Sequence, residues 1–587
     1  MQPDDRASLD YLGLVREAKG VDAASLKATV RLALLSDGST QHLVPPLRAL
    51  FARAGIRAEV HEALFGAILQ QASDPAAELY AFKPDFVVVL NSTHALRSAW
   101  YSAPGPAAEF AAGALAGIRE VWKAVAKNSS ATVVQSNFAV PCERVFGNFE
   151  LKADAELPAA VLRLNASLAE AARADGRVLL NDVEHLSSYW GRRRWLDEKM
   201  WMMAKIPCGM DCLPALAQNL VDIVRAARGG AAKCVVVDLD NTLWGGVIGD
   251  DGVAGIKVGT LGEGEPYRAF QQYLLRLKAR GMLLAACSRN APETAVLPFR
   301  EHPEMALKES DFAAFVANWG NKADNLRSIA EALNIGLDSL VFVDDDPFER
   351  NLVRRMAPEV VVPEMPEEPA DFAKTLSELN LFETASFSAE DRARAEMYRA
   401  QAVRAAARSS FSSTEDYLRS LNMRIRLARF DAANLPRVAQ LIARSNQFNL
   451  TTRRYAEADC ERLMNDRAGA VPFFVTLSDD LGDSGLIAVV VLLRRGDVLE
   501  IDEWLMSCRV LLRGVEDRMM NEVAAFARRA GFKRVRGLYV PTAKNGMVKD
   551  FFGRYGFVKS GDEWTLDVSR YVEKPTYFSS AEADLNP

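Results

Sequence analysis

Lys233-Cys-Val-Val-Val-Asp238-Leu-Asp240-Asn-Thr242-Leu-Trp244-Gly245-Gly246 is the stretch around which the rest of the chain is organised. Its short valine run reads as a buried parallel strand. Two carboxylates follow at i and i+2, then a threonine. Side chains alternate along a strand, so Asp238 and Asp240 can share a side, but at a strand's carboxyl end the turn sets their final aim. That end of a parallel sheet is where α/β proteins bind ligands. Paired carboxylates there suit a hard cation such as Mg²⁺ and a phosphorylated substrate. The plainer alternative is a helix N-cap pair.

A chain of 587 residues is too long for one core, which predicts several domains. With 49% hydrophobic and 25% charged residues the composition is that of an ordinary globular protein. A net charge of −6 and a pI of about 5.7 argue against general nucleic-acid affinity. Met1-Gln-Pro-Asp-Asp-Arg6 lacks a basic-then-apolar signal pattern, and no apolar run is long enough for a bilayer. Seven scattered cysteines fit a reducing compartment, so a cytoplasmic location with no membrane partner is expected. Cys208 and Cys212 are four apart without a second pair or nearby histidine, and read as structural. Arg192-Arg193-Arg194 reads as a solvated helix end, or as a contact for an acidic carrier protein or a phosphate.

Residues 1–30 read as a helical lead-in. Strands are expected at 31–36, 56–61, 85–90, 131–135 and 178–181, alternating with helices such as 43–54. That alternation predicts a doubly wound α/β domain over 31–228. It vaguely resembles the SGNH hydrolase fold, with Ser36 or Ser39, Asn91 and the pair Asp182/His185 as conceivable catalytic groups. The usual Gly-Asp-Ser order is absent, and His185 also reads as a surface turn residue. A non-hydrolytic domain that helps recognise partners is the expectation. Arg228-Gly-Gly-Ala-Ala-Lys233 reads as a flexible boundary.

The Asp-Leu-Asp-Asn-Thr segment resembles motif I of the haloacid dehalogenase (HAD) superfamily. Its extension Trp244-Gly-Gly-Val-Ile-Gly-Asp-Asp-Gly252 resembles the FkbH-like family, enzymes that load a glyceryl unit onto an acyl carrier protein. Later segments follow the HAD order. Ser288, in Cys287-Ser-Arg-Asn290, matches motif II. Trp319-Gly-Asn-Lys322 supplies the motif III lysine, and Ser339-Leu-Val-Phe-Val-Asp344-Asp345-Asp346 the acidic strand end of motif IV. The resemblance implies Asp238, Asp240, Cys287, Ser288 and Lys322 as catalytic. It implies Asp238, Asp240, Asp344 and Asp345 as Mg²⁺ ligands, and Thr242, Trp244, Gly245 and Asn290 as substrate-binding. Neither the interval after motif I nor that after motif II holds a substantial cap, so the HAD-like domain, 229–363, is expected to be open to a protein-borne substrate. Residues 364–419 read as a helical connector. In it Thr384, Asp391, Arg392 and Tyr398 match a family pattern, or simply form a scaffold helix.

Residues 420–575 resemble a GCN5-related N-acetyltransferase (GNAT) α+β fold, with 576–587 as a tail. Ser445-Asn446-Gln-Phe-Asn449-Leu-Thr451 resembles the family's Asn-Gln-Phe-Asn motif, and Tyr555-Gly-Phe557 a common ending. Arg509-Val-Leu-Leu512-Arg513-Gly514 departs from the Gly-containing pyrophosphate loop, because Leu512 stands where the middle glycine belongs. A pantetheine arm held by Asn446, Asn449, Arg509, Arg513 and Asn545 is expected rather than acetyl transfer.

The whole is thus a multidomain α/β protein: SGNH-like, HAD-like with a minimal cap, then GNAT-like. The resemblance implies that 1,3-bisphosphoglycerate and a phosphopantetheinylated acyl carrier protein are its partners, in polyketide or related biosynthesis. Cys287 would carry a glyceryl thioester through a lowered thiol pKa, unless strand alternation turns it into the core. The alternatives are a Mg²⁺ phosphatase of a small metabolite, a GNAT-type acyltransferase and a non-enzymatic scaffold.

Overall fold

The computed structural model describes residues 9–585 apart from 23, 25, 27, 154–155, 388–403, 405–410, 412, 508–509 and 543. The chain divides into two compact units, one ending at Ala226 and the other beginning at Ala227.

In the first unit, β1 (Ala28–Ser36), β2 (Ile56–Glu62), β3 (Phe86–Leu90), β4 (Thr132–Ser136) and β5 (Val178–Asn181) form a parallel sheet in the order β2-β1-β3-β4-β5. The reversal of order at β1 makes it doubly wound, as the alternation of strands and helices predicts. β3 is buried at every position, as a strand covered on both faces must be. Helices Ala107–Asn128 and Leu157–Ala174 pack Val121, Trp122, Val125, Val161 and Leu164 onto it.

The SGNH-type groups do not assemble into a relay. Ser36 is buried, its Oγ donating to Leu90 O and accepting from Gly38 N. Asn91 accepts from Gln135. Asp182 caps the helix Val183–Trp190, accepting from His185 N and Asn137 Nδ2, while the His185 ring is exposed.

The second unit opens with a four-stranded parallel sheet: β6 (Cys234–Val237), β7 (Leu283–Ser288), β8 (Ala314–Ala317) and β9 (Leu340–Val343), ordered β8-β7-β6-β9. Helices cover both faces. Val235, Val237 and Ala286 face helices Glu265–Ala279 and Phe372–Glu378. Cys234, Val236, Ala285 and Cys287 face helices Lys322–Ala332 and Pro347–Met356.

The C-terminal sheet is mixed. It holds β10 (Arg424–Arg429), β11 (Ala470–Asp479), β12 (Gly482–Arg495), β13 (Val498–Met506), β14 (Arg534–Leu538), β15 (Val558–Ser560), β16 (Glu563–Asp567) and β17 (Ser580–Asp584). The order is β15-β16-β14-β13-β12-β11-β10-β17. The expected tail is therefore corrected to an edge strand, because β17 pairs parallel with β10. β13 and β14 pair only as far as Ile501↔Gly537, and β13 runs on to Met506. The opening between them is filled by the chain itself. Leu450 N donates to Trp504 O at 3.1 Å, Met506 N to Phe448 O at 3.0 Å, and Val540 N to Leu450 O at 2.9 Å.

Glu503, fully buried on β13, accepts from the Thr451 hydroxyl at 2.9 Å and pins this filling segment. Burial pushes its carboxyl up to about 7, with the Thr451 hydrogen bond opposing. The folded state therefore holds a proton that the unfolded chain releases near its ordinary value. This group's contribution to stability falls as pH rises from about 4.5 to about 7 and is flat above, a loss of roughly 3 kcal/mol. Glu503→Gln should make the slope over that range shallower by this amount and raise the melting temperature at pH 8. Unfolding curves that keep the wild-type pH dependence would contradict it.

The boundary at 228–233 is anchored at Gly229. A Cβ there would lie 2.5 Å from Ala443 O, and its φ of +75° favours glycine.

Candidate active site

The site lies at the carboxyl ends of β6, β7 and β9. β6 stops at Val237, and Asn241, at φ +54°, turns the chain sharply after Asp240. Asp238, Asp344 and Asp345 offer carboxylate oxygens that all lie within 4.8 Å of one another. Lys322, the first residue of its helix, reaches them from the far side of the sheet. Its Nζ is 3.0 Å from Asp238 Oδ1 and 2.6 Å from Asp344 Oδ2. Asn321 caps this helix, and Asn318 and Asn325 exchange amide hydrogen bonds that brace the loop before it. All of Asp238, Lys322 and Asp344 are buried.

Three carboxylates thus face one ammonium. Burial, and then the charge of Asp344, push the Asp238 carboxyl up against the opposing Lys322. Burial likewise raises Asp345. The Lys322 ammonium is held above its ordinary value, because its two carboxylates outweigh the cost of burial. A surplus of hard oxygen donors in one small volume fits a divalent cation such as Mg²⁺.

The Asp240 carboxylate lies outside this group. Oδ1 accepts from Trp244 Nε1 at 2.9 Å and from Ile248 N at 3.0 Å, and Oδ2 accepts from Asn290 Nδ2 at 2.7 Å. Asn290 also donates to Ser288 Oγ at 3.1 Å, tying the motif II hydroxyl to Asp240. Three of the residues expected to bind substrate make contacts within the protein. Trp244 is fully buried and serves Asp240. Thr242 is fully buried and donates to Asp345 Oδ1 at 3.0 Å. Gly245 pairs with Lys257, and a Cβ on it would meet Tyr267 at 2.9 Å. Thr242 and Trp244 hold Asp345 and Asp240 in place and leave few atoms open to a ligand.

Cys287 is corrected as well. Ser288 and Cys287 alternate on β7, and Cys287 falls in the apolar layer with Leu326 and Ile329. Burial pushes its thiol up to about 12, more than the nearby Lys322 lowers it. The reactive thiolate expected there is the opposite of what this environment favours.

Pattern reading passed over Arg350. Its guanidinium donates to the backbone carbonyls of Asp344 and Asp345 and pairs with Glu364, locking the motif IV turn. The signal was present: a cation one helical turn beyond Asp346-Pro347.

In the C-terminal domain, four of the five residues expected to hold a pantetheine arm have partners within the protein. Asn449 accepts from Thr451 N and Thr452 N, and Asn545 donates to Asn449 O and Val540 O. Asn446 is paired with Arg454. Arg513 is buried against Asp479, which Arg404 also holds. These side chains build the segment that fills the β13/β14 opening, or bury in ion pairs. Arg509 lies outside the described residues, as do Asp391, Arg392 and Tyr398. Leu512 keeps a left-handed backbone, φ +63°, that a glycine would adopt without strain.

A parallel sheet with these four acidic and basic positions at its carboxyl edge, and no inserted cap domain among the described residues, defines a HAD-like phosphatase domain. The FkbH N-terminal domain family matches residues 31–225. The N-terminal part of the protein BF1531 from Bacteroides fragilis, containing a phosphatase domain and crystallised with Mg, is 37% identical. The match covers 65% of this chain and 100% of that one, with a TM-score of 0.61. The chain belongs to the FkbH-like family and is an enzyme. The ribosomal-protein-S18-alanine N-acetyltransferase of Escherichia coli matches 26% of this chain and 98% of its own, at 11% identity and a TM-score of 0.21. Spermidine N-acetyltransferase of Vibrio cholerae, in complex with CoA and spermine, matches 25% and 97%, at 13% and 0.20. No curated protein matches the chain. No helix among the described residues is long and apolar enough to cross a membrane.

Proposed function

We propose that this enzyme removes phosphate from 1,3-bisphosphoglycerate and loads the glyceryl group onto the phosphopantetheine thiol of an acyl carrier protein. The Asp238/Asp344/Asp345 group closed by Lys322 is the observation that carries the phosphoryl half. Asp238 attacks phosphorus, its oxygen forming the new P–O bond as the ester oxygen leaves with a proton from Asp240. Water then cleaves the aspartyl phosphate, and Asp240 takes the proton back. Trp244, Ile248 N and Asn290 fix the Asp240 carboxylate for both transfers. Ser288 and Lys322 hold the phosphoryl oxygens. Mg²⁺ held by Asp238, Asp344 and Asp345 would neutralise charge on the transferring group, a choice of metal supported by the Bacteroides fragilis structure.

The acyl half needs a thiol, which the carrier itself brings, and its proton leaves with the departing phosphate. The thiol sulfur bonds the acyl carbon as the C–O bond to phosphate breaks, so the acyl phosphate supplies its own leaving group. Family membership supports the carrier as acceptor. Incubation with Mg²⁺, 1,3-bisphosphoglycerate and a phosphopantetheinylated carrier, followed by intact mass spectrometry, should show a carrier heavier by one glyceryl group. Phosphate release with every tested carrier unloaded would replace this reading by a small-molecule phosphatase.

A further inference from the structure

One ion pair at the same sheet edge has no part in that chemistry. Arg289 follows β7 directly, and Glu349 lies in the first turn of the helix after β9. Arg289 Nη1 is 2.9 Å from Glu349 Oε1. β6 lies between β7 and β9, and adjacent strands are about 4.8 Å apart. The pair therefore spans the carboxyl end of β6, where Asp238 stands.

Glu349 is 3% exposed, and its Oε2 has no hydrogen-bond partner among the described residues. A buried carboxylate is costly unless a cation meets it, so Glu349 is tolerable because Arg289 reaches it. The same bond fixes where the guanidinium lies. Yet the Arg289 side chain is 42% exposed. A guanidinium presents five N–H donors in a planar fork that matches carboxylate and phosphate, and Glu349 is paired with one of its nitrogens. The other cations described at this edge are committed: Lys322 to Asp238 and Asp344, and Arg350 to two carbonyls and Glu364.

We infer that Arg289, anchored by Glu349, is a subsite for a second anionic group on the substrate. The substrate class is a short phosphorylated acid whose transferring phosphoryl lies at Asp238 while a carboxylate or second phosphate lies against Arg289. The inference rests on the phosphoryl-transfer reading and adds the group that selects the substrate.

Phosphate release from 3-phosphoglycerate and from glycerol 3-phosphate, in Mg²⁺, compares two esters that differ by a carboxylate. Wild type should favour the former in kcat/KM by about tenfold or more, the scale of one charge-assisted contact. Arg289→Gln should collapse that ratio through KM, and Arg289→Lys should restore part of it. Because Arg289→Gln leaves Glu349 unpaired, the double variant Arg289→Gln/Glu349→Gln provides a second, charge-balanced test with the same expected collapse. An unchanged ratio in both variants, or an equal fall on both substrates, would overturn the subsite. So would a wild type with no preference. Wild type releasing phosphate from neither ester would overturn the phosphoryl-transfer reading, and the subsite with it.

Discussion

Asp238→Asn should slow phosphate release by roughly a thousandfold or more, because an amide oxygen cannot replace a carboxylate as nucleophile. The substitution is nearly isosteric, and it removes one of three crowded carboxylates. Asp238 is buried, its carboxyl is pushed up by burial and by Asp344, and one ammonium serves both. The variant should therefore melt no lower than wild type in metal-free buffer, while losing some of the stabilisation that Mg²⁺ gives. Phosphate release and melting curves with and without Mg²⁺ check both halves. A variant within tenfold of wild-type turnover would remove Asp238 from the nucleophile's role.

Lys322→Met should act on stability as strongly as on rate. The side chains are similar in length, so the main change is the lost charge. Breaking a buried ion pair by removing one partner costs about 3–5 kcal/mol, since the remaining charge is left uncompensated. Here two carboxylates, Asp238 and Asp344, lose the same ammonium. The melting temperature in metal-free buffer should drop by several degrees, and adding Mg²⁺ should recover part of it. Turnover should fall about a hundredfold or more, the scale seen when a fixed positive group is removed from a developing anion. Asp238→Asn/Lys322→Met should be more stable than Lys322→Met alone, the signature of a coupled pair. A single variant that melts like wild type would show that the ammonium does not hold these carboxylates.

Much of the architecture was legible because hydrophobic periodicity is a local property. The apolar runs at 234–237 and 340–343 are strands, and so are 86–90, 132–136 and 178–181. The grouping of Asp238, Lys322, Asp344 and Asp345 was legible for a related reason. Each follows an apolar strand or opens a helix, and parallel strands bring their carboxyl ends to one edge. The β17 edge strand was missed because Ser580-Ala-Glu-Ala-Asp584 is exposed throughout and carries no alternation. The place of the Asn-Gln-Phe-Asn segment in the sheet was not legible because its partners, Trp504, Met506 and Val540, lie far along the chain.

Residue order alone dictates that this chain carries a parallel sheet with acidic strand ends, a lysine placed to neutralise them, and the extended motif of its family. Residue type and order suffice for that, because strand, turn and helix each leave a local imprint. Which carboxylates meet depends on packing in three dimensions. Asp238 and Asp240 are two residues apart, yet one meets Lys322 and the other Trp244. Packing also decided that Cys287 belongs to the core and Ser288 to the site, since adjacent strand residues face opposite layers. The reach of Arg289 across β6 to Glu349 was decided there too. The direction of a polar side chain is set by whichever donors and charges packing brings within about 3 Å, and those come from residues far away in sequence.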